Sequence, residues 1–481
     1  MIKKGDRMKQ KQNTPLQGNK MAVMPVGKLL INMAVPMILS MLVQALYNVV
    51  DSVYISNYSD AAVTALGLAF PVQNVQIGCA IGIGVGVNSM LSKSLGEGDR
   101  QKANFVAGNG IFLALVFSAA VMLFGFFGTG FYYNVQTDDP QILENGIAYT
   151  GICCVLTMGI YFEVLFERML QATGRTMHTM ITQGVGAIVN IVLDPIFIFG
   201  VEWLNIPAMG AAGAAIATVS GQFTAATLAL IMNLKYNADI KLSPRYIRPR
   251  GEIIRPVLAI GVPSMIMNSI SSVMNFSMNQ ILMGFESVAV GVGKTATAVF
   301  SIYYKLQSFF FMPLFGLNNA TISVVAFNYG ARDPKRIVQT LKFAVGGALC
   351  FMVAGLLTFE LLPDALLSIF NMTDGNFVEL GRTALRIIAI HFPIAAVCIA
   401  LGASFQALGN GIYSSITALC RQLFALLPAA YLLSLTGNVH MVWWAFPIAE
   451  LVSLTVTLIC FSRIYRQKVK PLFAENNPTI C

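Results

Sequence analysis

The chain is dominated by long apolar stretches that alternate with short polar connections. Each stretch is long enough for the roughly 20 residues that a helix needs to cross a bilayer. Only 11% of the 481 residues are charged, whereas soluble domains carry about 25%. The pattern therefore predicts an all-α integral membrane protein with twelve transmembrane helices, at residues 28–54, 62–91, 103–127, 146–171, 180–200, 210–233, 256–284, 295–326, 337–359, 377–406, 412–435 and 441–466.

Several landmarks recur at a nearly constant spacing, which indicates that the chain is one half built twice. Gln171–Gly174 reads QATG, and Gln406–Gly409 reads QALG 235 residues later. Repeats of this size in apolar sequence are typical of secondary transporters. Six spans per repeat is an even number, so both repeats enter the membrane from the same side and are parallel. The other recurring pairs are Pro36 and Pro263, Gly96 and Gly330, and Pro195 and Pro428, which are 227, 234 and 233 residues apart.

The basic residues collect on one side of the predicted membrane. Most of the 31 lie in the N-terminal segment, the even-numbered connections and the C-terminal segment, while the odd-numbered connections hold only Lys294, Arg382 and Arg386. The positive-inside rule then places both termini in the cytoplasm. This alternation favours topology control over nucleic-acid binding as the reason for the net charge of +9. The predicted organisation is a cytoplasmic N-tail (1–27), an N-lobe (28–233), a cytoplasmic linker (234–255), a C-lobe (256–466) and a cytoplasmic C-tail (467–481).

Two aspartates lie inside predicted spans, where a charged group is costly and therefore indicates function. Asp51 lies in the first span, on one helical face with Gln44 and Asn48, and Asp194 lies in the fifth span, one turn after Asn190. Counting residues from the outer ends places both carboxylates roughly 10 Å below the outer surface. We therefore expect them to share a site.

Two further residues add oxygen atoms at this depth. Pro195 leaves the carbonyl of Ile191, four residues earlier, without its helical hydrogen bond, and Thr218 offers a hydroxyl. Hard oxygen ligands suit a small cation such as Na+, while two neighbouring carboxylates in a medium of low dielectric can bind a proton instead. A structural role, with each Asp bonded to a helix neighbour, is the alternative, but a neutral Asn or Ser would serve at lower cost. We predict a site for H+ or Na+ formed by Asp51, Asn190, Asp194 and Thr218.

Other polar residues in the spans are candidates for substrate binding. Glu163 and Glu167 lie in the inner half of the fourth span, and an interfacial ion pair with Arg168 is the alternative role for Glu167. The seventh span carries a polar stripe that includes no carboxylate. We expect the substrate to contact Gln44, Asn48, Glu163, Glu167, Asn268, Ser272 and Asn275.

Three ionisable residues lie within spans of the second half: Lys305, Arg421 and Glu450. We expect them to pair within the bundle and to have a structural role. The three histidines share no ligand spacing, so no metal site is expected beyond Na+ at the four residues above. Cation handling is therefore predicted in the first half of the chain.

Several segments resemble the MATE family (multidrug and toxic compound extrusion). They are LYNVVDSVYIS, NIVLDPIFIFG, GAAIATVSG, the paired QATG and QALG, and FMPLFGLNNATISVVAFNYGARDPKR. The resemblance covers about residues 25–465 and is carried by the order and spacing of these segments. The chain is most similar to the branch that includes DinF and MepA.

The resemblance implies two six-helix lobes around a central cavity and antiport of drugs against Na+ or H+. It also assigns the cation site of the family to Asp51, Asn190, Asp194 and Thr218, and drug recognition to Glu167. One branch of the family uses a glutamate in the seventh helix, where this sequence has only Asn and Ser. A cation site in the C-lobe is therefore not expected.

The combined prediction is a multidrug efflux antiporter of the plasma membrane that works by alternating access. It would export lipophilic or cationic small molecules, act as a monomer and need no cofactor besides the coupling ion, H+ or Na+. A flippase for lipid-linked precursors is the alternative, but it would need a strongly basic cavity, and only Lys305 and Arg421 are deep enough. A channel or receptor would not require a doubled six-helix unit. An enzyme is not expected, because no span carries a His/Asp or Ser/His constellation.

Overall fold

The computed structural model describes residues 19–202, 205–287, 290–370 and 375–476. Within these ranges ten helices are long and apolar enough to cross a membrane, and two bent helix pairs raise the total to twelve. The predicted all-α membrane fold is therefore confirmed. In chain order the spans are Val26–Tyr58, Asp60–Gly96, Arg100–Phe127, Pro140–Val155 with Met158–Ala172, Thr176–Phe199, Gly210–Tyr236, Gly251–Met283, Val292–Gly330, Pro334–Leu361, Gly375–Ala389 with Phe392–Ala407, Gly411–Ser434 and Val439–Glu475.

Outside the first and last spans, the structure describes only short segments of the chain. Lys20–Val23 forms one helical turn before the first span, and the last span continues as helix to Asn476. The predicted N-tail and C-tail fall largely at residues 1–18 and 477–481, which lie outside the described residues. Between the lobes the linker runs along the third span, where Asn109 Oδ1 accepts the backbone N–H of Arg250 at 2.8 Å.

The fourth and tenth spans are each broken, which the apolar pattern did not predict. Each pair of segments is bent by 44°, and the second segments start 234 residues apart, at Met158 and Phe392. This is the spacing of the sequence landmarks. The break is therefore a feature of the repeated unit.

Local hydrogen bonding accounts for both breaks. In the fourth span the Gln76 amide donates to the Cys153 carbonyl at 3.1 Å and to the Thr157 hydroxyl at 2.7 Å, which satisfies a carbonyl that the break leaves free. In the tenth span Pro393 lies in the first turn of the second segment and has no N–H to donate backwards. Different residues thus produce the same bend in the two lobes.

The recurring QATG and QALG segments end helices. Gly174 and Gly409 adopt φ values of +79° and +77°, and their amides donate to the carbonyls of Gln171 (2.9 Å) and Gln406 (3.1 Å). A left-handed glycine of this kind closes a helix C-terminus, because other L residues are strained in that conformation. The strongest sequence repeat is therefore part of the scaffold.

The second and eighth spans, one from each lobe, approach each other closely where they cross. A Cβ atom on Gly96 would overlap the carbonyl oxygen of Phe327, and one on Gly330 would overlap the carbonyl oxygen of Lys93. This reciprocal contact joins two landmarks of the repeat. It lies at the ends of the spans that lead into basic connections.

Candidate functional site

Three of the four residues predicted to bind the cation form one hydrogen-bonded group. Asp194 in the fifth span is fully buried. The amide of Asn190, one helical turn earlier, donates to Asp194 Oδ1 at 3.3 Å and to the Thr218 hydroxyl at 3.4 Å. The fifth and sixth spans are thus joined through the predicted residues.

Asp51, the fourth predicted residue, approaches this group from the first span. The first and fifth spans pack against each other, and the carboxylates of Asp51 and Asp194 interact electrostatically. Among the described residues, Asp51 Oδ1, Asp194 Oδ2 and Asn190 Oδ1 are buried oxygen atoms without a hydrogen-bond partner. Such atoms are rare in folded proteins. Three of them on neighbouring residues fit the hard-oxygen ligand set of a small cation, and a bound proton would satisfy the carboxylates in the same way.

Tyr47 is a member of this site that the sequence analysis missed. Its side chain lies beside Gln44 and near the carboxylates of Glu163, Asp51 and Asp194. The signal was present in the sequence, because Tyr47 lies three residues after Gln44 and four before Asp51 on the same helical face. An aromatic residue in an apolar span is otherwise indistinguishable from core.

A cavity of about 90 Å³ in the N-lobe connects these groups with the predicted substrate residues. Glu163 is half-buried, and Glu167 is buried and accepts a hydrogen bond from the Thr182 hydroxyl at 2.8 Å. Arg168 donates to the Gln171 side-chain oxygen at 3.0 Å, so its guanidinium is directed to an amide. The cavity is also lined by Gln44, Tyr47, Asn190 and Thr218.

A larger cavity of about 500 Å³ lies between the lobes. Asn268 of the seventh span lines it. Ser272 accepts a hydrogen bond from Asn74 of the second span at 2.9 Å and so links the lobes. Asn275 is half-buried, and its amide donates to the Ser271 carbonyl at 3.0 Å. The side chain of Asn48, the last predicted substrate residue, is outside the described part of the structure.

The ionisable residues of the C-lobe separate into two groups. Lys305 is exposed. Arg421 and Glu450 pair across the eleventh and twelfth spans, with 3.7 Å between Nη1 and Oε1, as the sequence analysis expected of residues within the bundle. Both members of the pair line the central cavity.

The family model MatE matches residues 36–196 and 263–432 of the chain. The chain belongs to the MatE family. The two matched segments fall one in each repeat, so the family assignment and the duplication agree. Members of this family are transporters, and the chain is accordingly a multi-pass membrane transporter.

Individual relatives of the MatE family match the chain over most of its length. The chain is 25% identical over 415 residues to "Probable multidrug resistance protein NorM" of Thermotoga maritima, covering 86% of this chain and 87% of that protein. It is 23% identical over 438 residues to "Multidrug export protein MepA" of Staphylococcus saprophyticus, covering 91% and 94%.

Solved structures agree with the fold. A multidrug resistance MATE family transporter in its outward-facing conformation superposes with a TM-score of 0.86 at 24% identity, over 96% of this chain and 99% of that one. The membrane-spanning helical fold is thus shared with known MATE transporters.

Proposed function

We propose that this MatE transporter is a multidrug efflux antiporter that exports lipophilic or cationic compounds in exchange for H+ or Na+. The observation that carries the proposal is the group of unpartnered buried oxygens on Asp51, Asn190 and Asp194. A membrane protein retains such a costly group where an ion is bound and released. The names of the curated relatives, which describe multidrug resistance and export, support the substrate class.

Coupling follows from the position of the site beside the N-lobe cavity. Asn190 and Thr218 belong to the cation group and also line that cavity. A cation bound among the carboxylates neutralises the charge that attracts a cationic substrate. Cation binding therefore lowers the affinity of the cavity for the substrate, and by linkage the substrate lowers the affinity for the cation. Alternating access then exchanges one for the other.

The proposal places the protein as a monomer in the plasma membrane with both termini in the cytoplasm. The distribution of Lys and Arg over the connections supports this orientation. The tight crossing of the second and eighth spans then closes the cytoplasmic side, so the described state would expose the central cavity to the outside.

Transport of ethidium from proteoliposomes tests the proposal. Efflux is recorded by fluorescence under an imposed pH gradient, under an imposed Na+ gradient and without a gradient. We expect efflux under one of the two gradients. Vesicles that release ethidium at the same rate in all three conditions would refute the antiporter.

A further inference from the structure

The C-lobe side of the central cavity carries the ion pair of Arg421 and Glu450, which the proposed function leaves without a role. Resting on that function, we propose that Arg421 is a binding site for a carboxylate group of the substrate. The site would accept amphoteric compounds, whose acidic group binds Arg421 while the cationic group faces the acidic N-lobe cavity.

The geometry of the pair leaves the guanidinium available. Charge-assisted hydrogen bonds between Arg and a carboxylate are about 2.7–2.9 Å long and often bidentate, whereas Nη1 of Arg421 lies 3.7 Å from Oε1 of Glu450. The Arg421 side chain is 24% exposed and that of Glu450 only 5%. Arg421 is thus the more exposed member of the pair, and both residues line the central cavity.

Two buried acceptors beside Arg421 are unsatisfied. Oε1 of Glu450 and Oε1 of Gln422 have no hydrogen-bond partner among the described residues, although these residues are only 4% and 7% exposed and both line the cavity. An ion pair that served only to join two helices would satisfy its acceptors. A ligand at this position must therefore bring a hydrogen-bond donor for these acceptors as well as an acidic oxygen for Arg421, and a carboxylic acid group has both.

The backbone at Arg421 also departs from regular helix. Residues Cys420–Leu426 form a π-helical segment, which Leu427 separates from Pro428. The missing N–H of Pro428 removes a helical hydrogen bond, and π-helical turns occur often at functional sites because they redirect side chains. In the N-lobe the corresponding helix carries Asn190 and Asp194 before Pro195. The corresponding helices of the two lobes therefore carry a basic group in the C-lobe and acidic and polar groups in the N-lobe, at different positions along the helix.

The N-lobe cavity and the central cavity share part of their lining. Met41, Ile81 and Arg168 line both the N-lobe cavity, which contains Glu163 and Glu167, and the central cavity, which contains Arg421. The central volume of about 500 Å³ is within the range of about 300–1,000 Å³ for sites that hold drug-sized ligands. One molecule in the central cavity can thus present opposite charges to opposite lobes.

The test compares the binding of rhodamine B, which carries a free carboxylate, with that of its ethyl ester, which does not. Binding to the purified protein in detergent is followed by fluorescence polarisation, without any ion gradient. Failure of the antiporter proposal would therefore leave this result unaffected. We expect the native protein to bind rhodamine B about tenfold or more tightly than the ester. Equal affinities would overturn the proposal.

The variant Arg421→Gln with Glu450→Gln removes both charges and so avoids a buried unpaired carboxylate. We expect it to lose the preference for rhodamine B while it binds the ester as the native protein does. Lys342→Gln, which removes an exposed charge in the same lobe, should retain the preference. If the double variant binds neither dye, Arg421→Lys, which cannot form the bidentate contact, should weaken rhodamine B selectively. Retained preference in the double variant, or a parallel loss of both dyes in both variants, contradicts the proposal.

Discussion

The two lobes have several backbone features in common but differ in the chemistry of their interiors. Both have a broken span, a left-handed glycine after its second segment and a proline in the following helix. In that helix the N-lobe buries Asp194 beside Pro195, while the C-lobe has Leu427 beside Pro428 and Arg421 further in. The comparison teaches that duplication preserves the features that shape the chain and leaves the buried ionisable groups free to diverge.

Leu427→Asp tests whether the C-lobe can accept the acid of the N-lobe. The new carboxylate would occupy the counterpart of Asp194, and no Asn is placed one turn earlier to pair with it. We expect a loss of about 2.5–3.5 kcal/mol in stability, the cost of an uncompensated charge within the bilayer. Thermal unfolding in detergent measures it. Leu427→Met, which conserves volume, should cost less than about 1.5 kcal/mol, and equal stability of the two variants would show that the lobes are chemically interchangeable.

Gly96→Val and Gly330→Val test whether the two glycines contribute equally to the close contact between the second and eighth spans. In each variant the side chain would meet a backbone carbonyl of the other span, which cannot move aside as a side chain can. We expect each to lower stability by about 1–3 kcal/mol. The same unfolding assay applies to both variants.

Gly151→Val is the control for these two variants, since a side chain there enters open space. It should leave stability nearly unchanged. A large effect at only one of Gly96 and Gly330 would contradict the symmetric crossing.

Tyr47→Phe tests whether the Tyr47 hydroxyl contributes to the cation site, and its expected effect is the smallest of these predictions. It removes the hydroxyl beside Gln44 and the carboxylates and leaves the ring. We expect about a fivefold change in the concentration of the coupling ion that gives half-maximal efflux. A change of this size is equivalent to one hydrogen bond of about 1 kcal/mol. Tyr431→Phe in the C-lobe, where the ring is exposed, should match the native protein. An unchanged half-maximal concentration in Tyr47→Phe would remove Tyr47 from the site.

Much of the fold follows from the sequence because a bilayer imposes strong constraints. Apolar length locates each span to within several residues, and the spacing of Gly96 and Gly330 anticipates the repeat. The break of the fourth span was missed, since Gln76 acts on that span from a distant position in the chain. A one-dimensional pattern does not contain that contact.

The candidate site was partly predictable for the same reason. Asp51 and Asp194 are conspicuous because charge is rare in a span, and the structure brings them together with Asn190 and Thr218. Tyr47 was not found, because it is apolar enough to resemble its surroundings.

The cavity side of the C-lobe was not predictable either. The pairing of Arg421 with Glu450 was expected, but the position of the pair at the central cavity depends on how two separate helices pack. The same holds for Asn275, which lines neither of the two cavities described above.

The central claim is that the N-lobe carboxylates couple transport to an ion gradient. Gradient-driven ethidium efflux of Asp194→Asn, measured beside Asp138→Asn, tests it most directly. The amide preserves shape and removes the charge at the buried site, while Asp138 is an exposed residue between spans. The account predicts that Asp194→Asn, expressed and folded as the native protein, shows no acceleration of efflux by either gradient, while Asp138→Asn shows the native response. Full gradient-driven efflux by Asp194→Asn would contradict the account.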